Sequence, residues 1–279
     1  MSGFNYATGQ YDGAHSRYPN MVIFGSETVS AYYYRGVYFL EGEGSGDRCN
    51  EYPTYWTFSS ATASLEAHRD KTYTAGEFVW TGHDYLGEPT PRSWPSKSSY
   101  FGMIDTAGFA KDSFYLYQSQ WTSTPMVHLL PGNWDQWHDG EEVEVWVNTN
   151  QPSAELFLNG ESLGKKSFDE KETAYGKKYY ETSEKTQDDK TWGDSTNPGG
   201  YTSNGAVLDD GELNSGKLHL TWKVPYQAGT LEVKAYDKNG KVVATDSVST
   251  SSTPYTISAV ADKTVLKADG TSLSYVECT

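Results

Sequence analysis

Hydrophobic and polar positions follow two different patterns along the chain, and the change falls near Pro125. Before it, short apolar runs at residues 21–24 and 76–82 predict buried strands, and amphipathic stretches at 60–73 and 112–121 predict helices. Strands that are apolar on both faces and alternate with helices are typical of a parallel sheet. The first 125 residues are therefore expected to belong to an α/β domain.

After Pro125, apolar and polar residues alternate singly. Four segments show this pattern: residues 142–147, 154–158, 218–224 and 229–236. Together with an Asn-Gly dipeptide at 159–160, they predict antiparallel strands of a β-sandwich. We assign residues 126–250 to this domain. Within it, residues 165–215 are polar and poor in aliphatic side chains, so they are expected to form a long mobile excursion.

A third region follows a Ser/Thr-rich link at residues 247–253. Residues 256–260 and 273–276 have strand character, and two strands cannot bury a core of their own. Residues 251–279 are therefore expected to begin a further β-sandwich domain that this chain does not complete.

Composition narrows the classes of partner. The 279-residue chain has a net charge of -15. Nucleic acid and anionic membranes would repel such a chain, so neither is expected as a partner. No run is apolar enough for membrane insertion. Aromatic residues make up 15% of the chain, with 9 Trp and 22 Tyr. Flat aromatic rings suit the apolar faces of sugars, although such residues also fill β-sheet surfaces.

Cysteine and histidine give no metal or disulfide pattern. Cys49 and Cys278 lie far apart, and the six histidines lack metal-ligand spacing. No metal and no cofactor are therefore expected. Few Lys and Arg and many Tyr, Ser and Gly residues are typical of a bacterial extracellular enzyme. We expect an extracellular or cell-surface location, with any export signal lying upstream of Met1.

The most informative position is Glu27. The apolar run at 21–24 ends in Gly25-Ser26, and a carboxylate follows directly. Catalytic side chains of α/β barrels stand at the C-terminal ends of the strands. The alternative is a glutamate that caps a helix or lies on the surface.

A series of motifs in a fixed order resembles glycoside hydrolase family 2, above all its large bacterial β-galactosidases. The residues that carry the resemblance are Asn5-Tyr6, 18–20, Gly25-Ser26-Glu27-Thr28, Arg35-Gly36, 78–91, 99–102, 128–131 and 156–164. The last two segments resemble the immunoglobulin-like domain of that family. The resemblance covers nearly the whole chain except the polar excursion.

The resemblance implies a catalytic (β/α)₈ barrel that hydrolyses glycosides with retention of configuration. Residues 1–125 are similar only to its last part, from strand six onward, whereas a complete barrel needs about 250 residues. The acid/base glutamate of the family would then precede Met1. We therefore expect the isolated chain to lack one of the two catalytic carboxyl groups and to be inactive.

The resemblance also implies roles for individual residues. Glu27 corresponds to the nucleophile, and Tyr6 to a tyrosine whose hydroxyl bonds that carboxylate. Trp80 corresponds to the floor of the sugar subsite, and a cis peptide is expected at Trp80-Thr81. The alternative for Tyr6 and Trp80 is packing in the core.

Three further residues are candidates for substrate binding. Asp84 and Glu88 lie in the loop after Trp80, where carboxylates can accept hydrogen bonds from sugar hydroxyls, or merely face solvent or cap the loop. Trp94 is a candidate contact for an aglycone sugar, or an anchor that packs the loop.

Two classes of function remain open from the sequence. The first is a β-galactosidase that releases terminal β-galactose, with β-glucuronidase and β-mannosidase as alternatives within the class. The second is a non-catalytic carbohydrate-binding or surface-adhesion module. The sequence does not determine the oligomeric state.

Overall fold

The computed structural model describes residues 1–30, 35–36, 53–90, 94–135, 137–184, 215–253 and 256–278. Within these ranges the chain is mostly β-structure with three α-helices. None of the helices described is both long and apolar enough to cross a membrane. Residues 185–214, most of the predicted excursion, lie outside the described residues.

The first unit is a parallel sheet with helices packed on one face. Its elements are β1 (Ser2–Asn5), α1 (Tyr11–Arg17), β2 (Ile23–Val29), α2 (Pro53–Asp70), β3 (Thr74–Trp80), the short hairpin β4 (Tyr85–Leu86) and β5 (Ser98–Ser99), and α3 (Asp112–Trp121). The long strands pair in parallel in the order β1-β2-β3. The predicted alternation of strands and helices is confirmed for these elements. Strand β2 extends five residues beyond its predicted end and so contains Glu27.

The second unit is a sandwich of two antiparallel sheets. Its strands are β6 (Val127–Leu130), β7 (Glu142–Thr149), β8 (Ser153–Leu158), β9 (Glu161–Ser167), β10 (Asp169–Glu172), β11 (Lys178–Glu181), β12 (Leu220–Pro225), β13 (Thr230–Tyr236) and β14 (Val242–Ser249). One sheet of the sandwich has the order β12-β7-β6 and the other β14-β13-β8-β9, and β10 and β11 pair in a separate two-stranded sheet. Alternate residues such as Val145, Leu156 and Val233 are fully buried in one core between the sheets. The predicted antiparallel sandwich is confirmed.

The prediction that a mobile excursion begins at residue 165 is wrong. Residues 165–181 continue β9 and then form the hairpin β10–β11. Its cross-strand contacts are largely ionic, with Lys178 2.6 Å from Glu170 and Lys171 2.5 Å from Glu181. Paired charges therefore take the place of the aliphatic residues by which a strand is recognised in a sequence.

Helices α2 and α3 pack against the sandwich. The apolar cluster between the two units contains Ala61, Leu65, Leu116, Tyr117, Leu130, Trp146 and Leu218. Beside it, His128 of β6 lies 2.8 Å from Asp112 of α3 and 3.3 Å from Asp246 of β14. Burial lowers the pKa of His128, but hydrogen bonds to both aspartates outweigh this effect and raise it to about 9. At neutral pH, a charged histidine thus joins helix and sandwich.

The last described segment is the antiparallel hairpin β15 (Ala259–Ala261) and β16 (Val276–Cys278). Both strands begin three residues later than the sequence predicts. Their side chains are exposed, as expected for two strands without a core.

Candidate active site

Three predicted residues meet at the C-terminal ends of the parallel strands. Tyr6 follows the last residue of β1, Glu27 lies near the end of β2, and Trp80 is the last residue of β3. In the parallel register, Asn5 is opposite Glu27 and Val29 is opposite Trp80. The strands therefore place these residues at one edge of the sheet.

Tyr6 and Glu27 are in direct contact. The Tyr6 hydroxyl donates a hydrogen bond to Glu27 Oε1, and the Tyr6 backbone N–H donates to the Glu27 carbonyl at 2.8 Å. Burial, followed by the hydrogen bond to Glu27, raises the pKa of Tyr6. The hydroxyl therefore stays protonated, and it orients the carboxylate as a donor.

An irregularity in β2 turns Glu27 toward Tyr6. The register between β2 and β3 shifts between Gly25 and Thr28. Ser26 donates to Asn5 at 2.7 Å, so the consecutive Ser26 and Glu27 both bond to the end of β1. Such bulges re-aim side chains next to active sites.

The backbone around this edge contains left-handed residues that are not glycine. Tyr6 has a φ of 50°, Val29 of 72° and Ser30 of 47°. This region is uncommon for side chains of that size, especially for a β-branched valine. Such conformations cluster at functional sites, where the surrounding structure holds them.

Trp80 lies beside a tyrosine that the sequence analysis did not single out. The rings of Trp80 and Tyr85 pack edge to face with centroids 5.9 Å apart. Both Ser30 and Tyr85 influence the pKa of Tyr6. Hydrogen bonding by the Ser30 side chain lowers this pKa, whereas the charge interaction with Tyr85 raises it. The signal for both was their place in the short loops that follow Glu27 and Trp80. The Trp80-Thr81 peptide is cis, as predicted.

A buried polar network holds β2 from its helix-facing side. Glu77 of β3 accepts hydrogen bonds from Thr28 at 2.7 Å and from Ser64 of α2, and its side chain is only 4% exposed. His68 lies next to this carboxylate and bonds Tyr11 of α1 at 3.2 Å. The residue after Glu27 is thus tied to a strand and a helix. In the sequence, this network is indicated by Glu77, a charged residue inside the otherwise apolar strand predicted at residues 76–82.

Asp84 is buried in an ion pair. Its Oδ1 accepts hydrogen bonds from the Gly102 N–H at 2.8 Å and from Lys111 Nζ at 2.7 Å. Burial disfavours both charges, so it raises the pKa of Asp84 and lowers that of Lys111. The attraction between the two groups shifts both pKa values in the opposite direction but is outweighed. This arrangement favours a role in holding the loop after β3. A contact between Asp84 and sugar hydroxyls stays a prediction.

Glu88 and Trp94 lie on the exposed part of the same loop. Glu88 faces solvent. Trp94 is 81% exposed, and Lys97 Nζ lies 5.7 Å from its ring centroid. The described residues therefore leave most of the Trp94 ring uncovered, and its role as a packing anchor of the loop stays a prediction. Contacts of these two residues with a sugar stay predictions.

Comparison with known proteins finds relatives over the whole chain. Residues 140–184 and 187–244 match the family model of a domain of unknown function, DUF4982. The chain is 32% identical over 295 residues to the β-galactosidase BoGH2A of Bacteroides ovatus, an alignment that covers 98% of this chain and 29% of that protein. The chain therefore spans less than a third of the length of this relative.

Solved structures share the fold. A β-glycosidase of Bacteroides vulgatus matches 99% of this chain and 34% of its own, with a TM-score of 0.64 and 26% identity. A β-glucuronidase described as a glycoside hydrolase family 2 member matches 94% of this chain and 23% of its own, with a TM-score of 0.58 and 16% identity. This chain belongs to glycoside hydrolase family 2.

In this family 2 chain, the described residues offer no metal centre. No group of three or more His, Cys, Asp or Glu side chains in those ranges could hold an ion. The described site itself presents the Glu27 carboxylate, with the Tyr6 hydroxyl as its hydrogen-bond donor and the Trp80 ring at the same edge of the sheet.

Proposed function

We propose that this chain carries the nucleophile of a retaining β-galactosidase that releases terminal β-D-galactose from oligosaccharides or glycans. The observation that supports it best is the hydrogen bond from Tyr6 to Glu27, next to Trp80. Glu27 attacks the anomeric carbon, and the bond to the leaving oxygen breaks as an acid protonates it. Water then cleaves the glycosyl ester while the conjugate base of that acid takes its proton.

The remaining parts of the proposal concern the whole protein. The sheet β1-β2-β3 forms the last strands of a (β/α)₈ barrel, the sandwich is immunoglobulin-like, and β15–β16 starts a further sandwich. The acid/base glutamate comes from polypeptide outside these 279 residues, at about 5 Å from Glu27 in the closed site. We place the protein outside the cell or at its surface.

Galactose is the proposed sugar because BoGH2A, 32% identical along nearly the whole chain, is a β-galactosidase. Glucuronic acid is the alternative sugar, because the β-glucuronidase named above shares the fold. Trp80 forms the floor of the sugar subsite. Asp84, Glu88 and Trp94 are proposed to lie around this subsite. Asp84 holds the loop, and Glu88 and Trp94 contact the sugar directly.

Mechanism-based labelling tests the proposal. The complete gene product is treated with 2-deoxy-2-fluoro-β-galactosyl fluoride or its glucuronyl counterpart, and the labelled peptide is identified by mass spectrometry. We expect a galactosyl label on Glu27, which Glu27→Gln abolishes. The control Glu161→Gln, at an exposed glutamate of the sandwich strand β9, should retain the label.

Other results would change the proposal in defined ways. Labelling by the glucuronyl reagent alone would replace the substrate but keep the nucleophile. Label on another carboxylate would contradict the role of Glu27. Sugar binding without labelling by either reagent would favour the carbohydrate-binding or adhesion module.

A further inference from the structure

A cavity of about 610 Å³ lies between the two units, away from the strand ends that carry Glu27. Its walls come from the end of α2, the start of β3, the end of α3 and the hairpin β10–β11. Glu77, which lines it, bonds to α2 on the helix-facing side of the sheet, whereas Glu27 bonds to Tyr6. The cavity is therefore separate from the candidate active site, and its size is that of a small-molecule site.

Two exposed aromatic rings stand in the cavity wall. Trp121 is 56% and Tyr175 53% exposed. Both are held in place: the Trp121 ring packs on Tyr117 with centroids 4.6 Å apart, and the Tyr175 hydroxyl donates to the Arg69 carbonyl at 2.9 Å. Fixed, exposed rings are suited to stacking against the apolar face of a ligand.

The cavity is basic although the chain is acidic. Its lining has four basic and two acidic side chains: Arg69, Lys177, Lys178 and Lys238, with Glu77 and Glu170. The whole chain carries a net charge of -15. A local excess of positive charge on a negative protein attracts anionic ligands selectively.

The cations are not all neutralised inside the cavity. Glu170 is shared by Lys178, at 2.6 Å, and Lys238, and Arg69 pairs with Asp70 at 2.6 Å and with Glu181 at 3.4 Å. Lys177 is exposed, and it forms no ion pair with any residue in the described part of the chain. One ammonium group is therefore available for an incoming anion. In the same wall, the Gln120 side chain donates to Ser119 at 3.0 Å and keeps its amide oxygen for a hydroxyl group.

We propose that this cavity is a second, non-catalytic binding site for an acidic saccharide, one that bears a carboxylate or a sulfate. A sugar ring stacks on Trp121 and Tyr175, its anionic group pairs with Lys177, and one of its hydroxyls bonds the Gln120 amide. This function is independent of the proposed hydrolysis at Glu27. Such a site would hold the protein on an anionic glycan while another part of that glycan is cleaved.

Titration calorimetry with the 279-residue chain tests this site. The probes are a uronic-acid disaccharide, galactose 6-sulfate and neutral lactose. We expect at least one acidic probe to bind about tenfold more tightly than lactose and to weaken as salt is added. Comparing the two acidic probes shows whether carboxylate or sulfate is preferred.

Matched variants locate the binding. Trp121→Ala and Lys177→Gln should each weaken the acidic probe about fivefold to tenfold, and Trp121→Phe should restore most of the loss. The controls Tyr275→Ala, another exposed aromatic residue, and Lys267→Gln, another exposed lysine, should leave binding unchanged. Lys177 is exposed, so its variant stays informative if Trp121→Ala does not fold.

Two results would overturn the proposal. One is equal affinity for lactose and both acidic probes. The other is loss of binding in Trp94→Ala with no loss in Trp121→Ala or Lys177→Gln, which would place the sugar at the candidate active site instead. Neither result bears on Glu27 as the nucleophile.

Discussion

The two units of this chain are stabilised in different ways. The sandwich encloses an apolar core in which Val145, Leu156 and Val233 are fully buried. The parallel sheet is tied to its helices through polar groups as well, with Glu77 bonded to Thr28 and Ser64. Its other face carries Phe78, which is 67% exposed in the described structure. The sandwich has a core of its own, whereas the site region depends on paired buried polar groups.

This difference matches the tasks of the two regions. An apolar core is non-directional and tolerates many arrangements of similar volume. Hydrogen bonds and ion pairs are directional, so they fix the position of β2 and of the loop after β3. The cost is that removing one partner leaves a buried polar group without compensation.

The largest effect on stability is expected from breaking the buried ion pair of the site region. Lys111→Met leaves the Asp84 carboxyl buried and unpaired, which should lower the free energy of unfolding by about 3–5 kcal/mol. The matched control is Arg35→Met, because Arg35 pairs with Asp105 at 2.9 Å but is 49% exposed; the expected loss is under about 1 kcal/mol. Urea unfolding measures both, and equal losses would show that the buried pair is not special.

Two phenylalanines compare the units directly. Phe168 is buried in the sandwich core, so Phe168→Ala should cost about 3 kcal/mol. Phe78 lies on the open face of the sheet, and Phe78→Ala should change stability by less than about 0.5 kcal/mol. If Phe78→Ala proved as costly as Phe168→Ala in thermal and urea unfolding, the account of an uncovered sheet face would be wrong.

The junction between the units should be sensitive to alkaline pH. The pKa of His128 rises from 6.5 to about 9 in the folded state. Its contribution is therefore complete below pH 6.5 and disappears as the pH rises through 9, with an expected loss of about 3 kcal/mol. His128→Gln should be less stable at pH 6 and should lose the slope between pH 6.5 and 9. A slope that persists in the variant would assign it to other groups.

Regular patterns made much of this fold predictable. Helix α3 has the predicted bounds, and the strict alternation at residues 142–147 identified β7. The hairpin β10–β11 was missed because Glu170 and Lys178 stabilise it by charge, which resembles a solvated loop in a sequence. The order of the motifs also made Tyr6, Glu27 and Trp80 site candidates. These residues lie close together because they are at the same ends of adjacent parallel strands.

The supporting contacts of the site were not predictable in the same way. Lys111 reaches Asp84 across 27 residues of sequence, and Ser64 reaches Glu77 from a helix. Such pairs depend on how loops and helices fold back on the sheet, which no local periodicity encodes. Tyr85 was overlooked because its role depends on the direction in which the loop leaves Trp80.

Chemical rescue of a Glu27→Gly variant of the complete gene product tests the central claim most directly. Removing the carboxylate opens the face opposite the leaving group, so azide added with an activated β-galactoside should restore turnover and yield the α-galactosyl azide. Glu161→Gly, the control at an exposed position of the sandwich strand β9, should hydrolyse the substrate without azide. Formation of a β-galactosyl azide would contradict the assignment of Glu27 as the nucleophile. So would hydrolysis by Glu27→Gly without azide at the rate of the wild-type enzyme.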